Sequence, residues 1–356
     1  MHHMWTFPDR IAGDGLRYLL TIFGKPSIVY LGGFGKICVS LFFFLTGYGL
    51  YLSQNKVKYD IVKKLKALYL SYWKVFLIFI PIAFLMFRNQ GAYCENEAIY
   101  TCYDKFSWKT CITNFLGLGC EYNGEWWFFR HYLVALISFP FVRQYVDRFS
   151  MKMNIVWVVL ASILITNVFP ALGKIESLGN MQKNYLFSSI FCPKAPFFAC
   201  FWMGIVCAKH GILDRIHCGL ESNRLLNPLS DILLSITIVF LRQSGPGQNL
   251  DIFYTPVLIV VGMDLVKRLK YIRIALLEIG KRSTNMWLIH SFFCYYFYAV
   301  VKIVISPKYA VPALLILIVI SYAASVIVDF IWNYLGKAKR WICCKVFPLS
   351  KANSKS

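Results

Sequence analysis

Charge is what this sequence has little of. Only 15% of its 356 residues are charged and only 17 are Asp or Glu, where soluble domains carry roughly 25% charged residues. Hydrophobic residues make up 58%, and the mean hydropathy is +0.55. So few charges exclude an ordinary soluble domain and leave a membrane protein. The scarcity is also one-sided: 38 Lys and Arg give a net charge of +21. A basic excess gathered on one face would suit nucleic acid, but here it falls in short clusters between apolar runs. That pattern marks topology and argues against a nucleic-acid partner. No cleavable signal peptide is visible. Nor does a CxxC pair or a nearby histidine accompany the cysteines of the longest loop, so no metal is expected.

Long apolar runs are what the chain has instead. A bilayer core takes about 20 apolar residues per helix, with a range of roughly 17 to 25. Nine runs approach this: Phe34 to Leu52, Leu68 to Phe87, Trp126 to Val146, Ile155 to Leu172, Tyr185 to Ala208, Leu229 to Leu241, Ile252 to Val266, Thr284 to Ile305 and Val311 to Leu335. The sixth and seventh are short, and "QSGPGQNLD" between them marks a turn. The expected fold is all-α, a polytopic bundle of about nine membrane helices.

Positive charge sorts the connections into two classes. The loops around residues 53–67, 143–153, 209–227 and 267–283, with the tail from Gly336, hold 23 of the 38 basic residues, and the alternate connections hold 11. By the positive-inside rule the first class and the C-terminus are cytoplasmic, in a cell membrane, which places Pro8 outside after nine crossings. An apolar start on that side suggests a preceding helix of which "MHHMWTF" is the outer end, making ten. Residues 1–340 then form one transmembrane domain and 341–356 a basic cytoplasmic tail.

Ionisable groups inside a span are costly and become site candidates. Arg130 and His131 in "NGEWWFFRHYLVAL" lie about one turn inside the third run. They suit an anionic or sugar-like acceptor, with Trp126 beside them, or Arg130 snorkels to the interface. His290, in "LEIGKRSTNMWLIHSFF", shares a helical face with Met286 and Trp287. Asp231, Asp264 and Asp329 are expected to pair with loop lysines. Lys194, between two prolines, suits a cavity wall. Lys63, Lys64 and Lys66 in "KVKYDIVKKLKALYLSYW" form a positive-inside anchor or a dock for a cytosolic polyphosphate, with Tyr69, Tyr72 and Trp73 as an aromatic belt behind them. Cys94, Cys102, Cys111 and Cys120 share one outer loop, where two disulfides are chemically feasible.

Several of these stretches together resemble the acyltransferase 3 family of polytopic enzymes. "GKICVSLFFFLTGYGLYLS" resembles the family's second helix with its FFxxSG-like core, here Phe43, Phe44, Thr46 and Gly47. Lys63 and Lys64 match the paired arginines at the start of the third helix. Gly280, Ser283, Trp287 and His290 match a late LGxxSxxxWLxH segment. "HHMWTFPDRI" resembles the end of the first helix, whose Arg/Lys-x10-His motif puts its histidine at His3, with His2 the neighbour; the motif's basic residue falls before the first residue of this chain.

The resemblance implies an integral-membrane O-acyltransferase using acetyl-CoA or another acyl-CoA as donor and a glycan or lipid-linked sugar as acceptor, among membrane lipids. It casts His3 as general base and Lys63, Lys64 and Lys66 as partners of the CoA phosphates. Arg130, His131, Trp126 and His290 then line the site, His290 also being a catalytic candidate. A transporter or flippase for envelope lipids would use the same intramembrane charges, and an inactive truncated member is the third reading. The charge pattern makes one direct prediction. Reporter fusions after Lys339 and near Lys58 will read out in the cytoplasm and fusions near Asn96 outside, and an external tail would reverse the whole orientation.

Overall fold

The computed structural model describes residues 2–6, 16–17, 19–22, 25–54, 58–90, 101–172, 175, 196–243 and 245–346. The chain opens with α1 (His2–Thr6), a two-residue antiparallel pair β1 (Thr21–Ile22) and β2 (Lys25–Pro26), α2 (Ser27–Gly35) and α3 (Ile37–Gln54). It continues through α4 (Ile61–Met86), α5 (Trp108–Phe115), a 3-10 turn (Gly124–Trp126), α6 (Trp127–Arg148) and α7 (Met151–Ile163). Then come α8 (Phe197–His210), α9 (Ile212–Ser222), α10 (Pro228–Gln243), α11 (Asp251–Arg268) and α12 (Lys270–Lys281). Last are α13 (Ser283–Ser291) with a π-helical turn (Phe292–Tyr296), α14 (Tyr298–Ile305) and α15 (Ala310–Val346).

A helical membrane bundle is what the composition led us to expect, and it is what forms. Among the described residues, four helical stretches are long and apolar enough to cross a bilayer: Ser27–Gln54, Ile61–Met86, Met151–Val168 and Ala310–Lys337. The count rises to six if two bent pairs, α8 with α9 at 73° and α13 with α14 at 91°, each make one span. Helices α6, α10 and α11 occupy the third, sixth and seventh expected runs but are shorter or carry more charge. The first part of the fifth run, with Cys192 and Lys194, lies outside the described residues, as does Cys94. Helix α15 continues past residue 340 to Val346.

Local chemistry fixes the starts of these helices. The Asp60 carboxylate caps α4 by accepting the Lys63 N–H at 2.9 Å, satisfying one donor of the first turn. Next to it the Tyr59 hydroxyl donates to the Leu136 carbonyl at 2.7 Å, and burial pushes its phenol up to about 12. It therefore stays a donor at any physiological pH, tying the start of α4 to α6.

Helices α3 and α8 meet backbone to backbone. A methyl on Gly47 would strike the Phe201 carbonyl, and one on Gly204 the Phe44 carbonyl. Small residues at matched positions are what permit such approach in membranes, where dispersion replaces the hydrophobic effect between helices. Phe43 and Phe44 beside this seam are fully buried, so the aromatic-glycine stretch quoted from the sequence is a helix-packing device.

The connection from Arg88 to Glu125, expected as an outer loop, folds back into the bundle. Three donors on one face of α4 capture the last carbonyls of α5: Tyr72 to Asn114 at 2.6 Å, Trp73 to Phe115 and Tyr69 to Leu116 at 2.9 Å. At about 1.5 Å per residue they lie roughly 20 to 25 Å from the Met86 end of α4. Tyr69, Tyr72 and Trp73 are thus a clamp on a re-entrant helix, and Tyr72 is completely buried. The belt reading fails because a carbonyl taken out of water needs a donor more than the headgroups need a ring. Cys111 and Cys120 in this segment are free thiols.

Two polar knots also depart from expectation. Asp264 and Asp329 pair with arginines, Arg268 at 2.7 Å and Arg282 at 2.7 Å; the planar guanidinium fork suits a partly buried carboxylate better than an ammonium does. Arg242, just past the sixth apolar run, and Asp251, the last residue of the "QSGPGQNLD" turn, form a two-pronged ion pair at 2.7 and 3.0 Å with both side chains fully buried. Ser40 donates to the same carboxylate at 2.6 Å, and Arg242 also reaches the Gly33 carbonyl at 3.1 Å. Breaking such a pair from one side strands a buried charge, at a cost of about 3 to 5 kcal/mol. Asp251→Leu will therefore lower the apparent melting temperature in detergent sharply, and adding Arg242→Met will recover much of the loss. Equal melting of the single and double variants would show the pair to be immaterial.

Candidate functional site

Buried side chains gather into two clusters, one around α4, α13, the π turn and α15, the other around α3, α6, α8 and α11. Between them runs a cavity of about 1690 Å³. Its wall on α3 extends from Lys36 to Ser53, about 25 Å at ~1.5 Å per residue, against roughly 30 Å for a bilayer core. One end is polar with His2, His3, Lys36 and Glu125; Ser53, Lys64 and Thr284 stand at the other. His290 belongs to the polar end, and Arg130, His131 and Trp287 also line the cavity.

At the His3 end three imidazoles and a carboxylate converge. His3 Nδ1 lies 3.9 Å from Glu125 Oε1, and the His3 ring is 5.3 Å from that of His290 and 5.2 Å from that of His2. The His290 ring donates from Nδ1 to the Trp287 carbonyl at 2.7 Å, and His131 does the same to Trp127 at 2.9 Å. Because a carbonyl only accepts, each neutral ring is fixed as the tautomer whose Nε2 is a base. Glu125 is buried and is held from its other oxygen by the Tyr296 hydroxyl at 2.9 Å. Asn123 and Ser291 exchange hydrogen bonds at 2.7 and 3.0 Å, tying the 3-10 turn that carries Glu125 to the helix that carries His290. A histidine facing a carboxylate is an arrangement that can take a proton from a hydroxyl and stabilise the imidazolium that results.

Sequence reasoning named some of the charged and polar residues of this wall and missed others. His3, His290, Arg130, His131 and Lys64 all face the one cavity. Lys63 and Lys66 are exposed on α4 and are not among its lining residues. Trp126 stands behind the wall, its indole donating to the Leu288 carbonyl at 3.0 Å and packed on Tyr72 and Phe292, while Trp127 takes the lining position. Glu125 and Tyr296 went unnoticed. The available signal was a carboxylate at the very start of an apolar run, in a chain with few carboxylates to spare.

These features define a helical membrane protein with a histidine-carboxylate pair at one end of a bilayer-length cavity. A family model described as an acyltransferase domain matches residues 1–330, nearly the whole chain, so the protein belongs to the acyltransferase 3 family. No curated protein and no solved structure matches it.

Thr46 lines the middle of the cavity, its hydroxyl turned back to the Phe42 carbonyl at 2.7 Å. In a Cys38→Ser background, which removes a free exposed thiol already lining the cavity, a Thr46→Cys variant alkylated with a bulky maleimide will lose acyl transfer relative to the unlabelled variant. The same label on Thr237→Cys, at an exposed position of α10, will leave transfer unchanged; equal effects at both positions would disconnect the cavity from the reaction.

Proposed function

We propose that the protein is an integral-membrane O-acyltransferase that moves an acyl group, acetyl in the first instance, from cytoplasmic acyl-CoA to a hydroxyl of a cell-surface or exported glycan. The observation that carries this reading is a cavity lined both by Lys64 and by the His3–Glu125 pair. The basic loops put the Lys64 end in the cytoplasm, where Lys64, with Lys63 and Lys66 on the adjacent surface, attracts the phosphates of the donor. The acceptor hydroxyl approaches the His3 end. His3 accepts its proton as the oxygen attacks the thioester carbonyl; the carbon–sulfur bond breaks, and the proton returns from His3 to the departing CoA thiolate. Glu125 stabilises the imidazolium in the interval, a role that depends on orientation as much as on charge. Arg130 and His131 offer donors to the polar acceptor along the way. Each role assigned to these residues adds to the family resemblance a reason in charge or proton affinity.

Membranes containing the protein should incorporate label from acetyl-CoA into a base-labile ester on envelope glycan. His3→Ala removes the base and should lower turnover by about 10²-fold or more. Lys64→Ala should instead raise the apparent KM for acetyl-CoA, most visibly at low salt where surface charge is least screened. If no acetyl enters any glycan or lipid, yet His3→Ala stops export of an envelope lipid, transport replaces transfer as the function.

A further inference from the structure

We infer that the π turn of "FFCYY" is the positioning element for the proposed catalytic pair, Tyr295 holding the backbone of His3 and Tyr296 holding the Glu125 carboxylate. The inference rests on the acyl-transfer reading above and assigns two residues that neither the sequence motifs nor the cavity wall by itself singles out.

The geometry comes from the break in the helix. Residues Phe292–Tyr296 adopt the rare π form, closed by the Phe297 N–H on the Phe292 carbonyl at 2.8 Å, and the chain then turns by 91° into α14. Single π turns occur mostly where function demands them, because an α-helix would keep better backbone bonds. The exposed backbone at this bend is satisfied by Gln90: its Nε2 donates to the Tyr296 carbonyl at 3.1 Å, and its Oε1 accepts from the Tyr298 N–H at 2.7 Å. The turn is therefore anchored from outside the helix and does not unwind for want of partners.

Two successive tyrosines leave this turn toward the two members of the pair. The Tyr295 hydroxyl donates to the His3 carbonyl, with the rings edge to face at 5.9 Å. The Tyr296 hydroxyl accepts from the Gly124 N–H at 2.7 Å, so its own proton is directed to Glu125 Oε2 at 2.9 Å. With Oε2 occupied, Oε1 is the carboxylate oxygen that faces His3. Both tyrosines are buried. One turn thus sets the distance between base and carboxylate, two groups 122 positions apart in sequence. Tyr295 and Tyr296 are positioning residues, since each acts through His3 or Glu125.

Tyr296→Phe keeps the ring and removes the proton donated to Glu125. In membranes assayed with labelled acetyl-CoA it should lower kcat at least about 10-fold with the KM for acetyl-CoA unchanged. In a Glu125→Gln background it should cost nothing further, because both changes break the same link. Tyr103→Phe serves as the structural control: Tyr103 is fully buried beside Tyr296 and donates to the Tyr122 carbonyl at 2.6 Å, outside the chain of contacts to His3. It should leave kcat as it is.

A second readout needs no acceptor. Tyr295→Phe releases the His3 backbone and should speed carbethoxylation of His3 by diethyl pyrocarbonate at least about threefold, read by peptide mass spectrometry with half-buried His217 on α9, away from the cavity wall, as internal reference. Unchanged His3 reactivity in Tyr295→Phe, or a loss of kcat in Tyr103→Phe as large as in Tyr296→Phe, would overturn the assignment. Should wild-type membranes transfer no acetyl, the acyl-transfer reading falls and the His3 reaction rates alone decide the positioning.

Discussion

A backbone carbonyl or N–H within an apolar slab has no water to turn to, and among the described residues four places where the chain leaves regular helix are organised around that need. Tyr69, Tyr72 and Trp73 supply donors to the inward end of α5. Gln90 serves both sides of the bend before α14. Lys209 reaches back to the Val146 and Phe149 carbonyls where α6 ends, at 2.7 and 2.9 Å, and Arg242 does the same for Gly33 near the end of α2. Irregular backbone is expensive here, so it appears where a side chain has been set aside to receive it. At the polar end of the cavity, the 3-10 turn with Glu125 and the π turn with Tyr295 and Tyr296 are irregular segments of this kind.

This explains which parts of the protein were legible in its sequence. Apolar runs announce helices because burial in lipid rewards a contiguous stretch, and α3, α4, α7 and α15 fall where such runs lie. Motif residues were legible for the same local reason: His3, Lys64, Arg130, His131 and His290 are conspicuous wherever they stand in an apolar chain, and the structure gathers them around one cavity. The re-entrant α5 was not legible. It is only eight residues long and amphipathic, which reads as loop until one knows that Trp108 and Ile112 lie on its exposed face while α4 holds its carbonyls.

Long-range partnership was the other blind spot. Asp251 looks like a turn residue beside glycines and a proline, and nothing local reveals that Ser40, far earlier in the chain, donates to it. Glu125 poses the same problem, since its meaning depends on Tyr296 and His3 arriving from opposite ends of the sequence. Periodicity and hydropathy describe how a residue sits in its own segment. A catalytic pair is a property of two segments, and only the family resemblance carried any of that information forward.

The seam between Gly47 and Gly204 has a mechanical consequence. Two helices in contact through their backbones have no side-chain layer between them to slide or repack, so the α3 side of the cavity behaves as a fixed jamb. Helix α13 also lines the cavity, held at the π turn and bend by Gln90 and at its other end by Arg282 on Asp329. The acceptor and donor would therefore meet between two walls that both resist repacking, one locked by backbone contact and the other by side chains spent on its breaks.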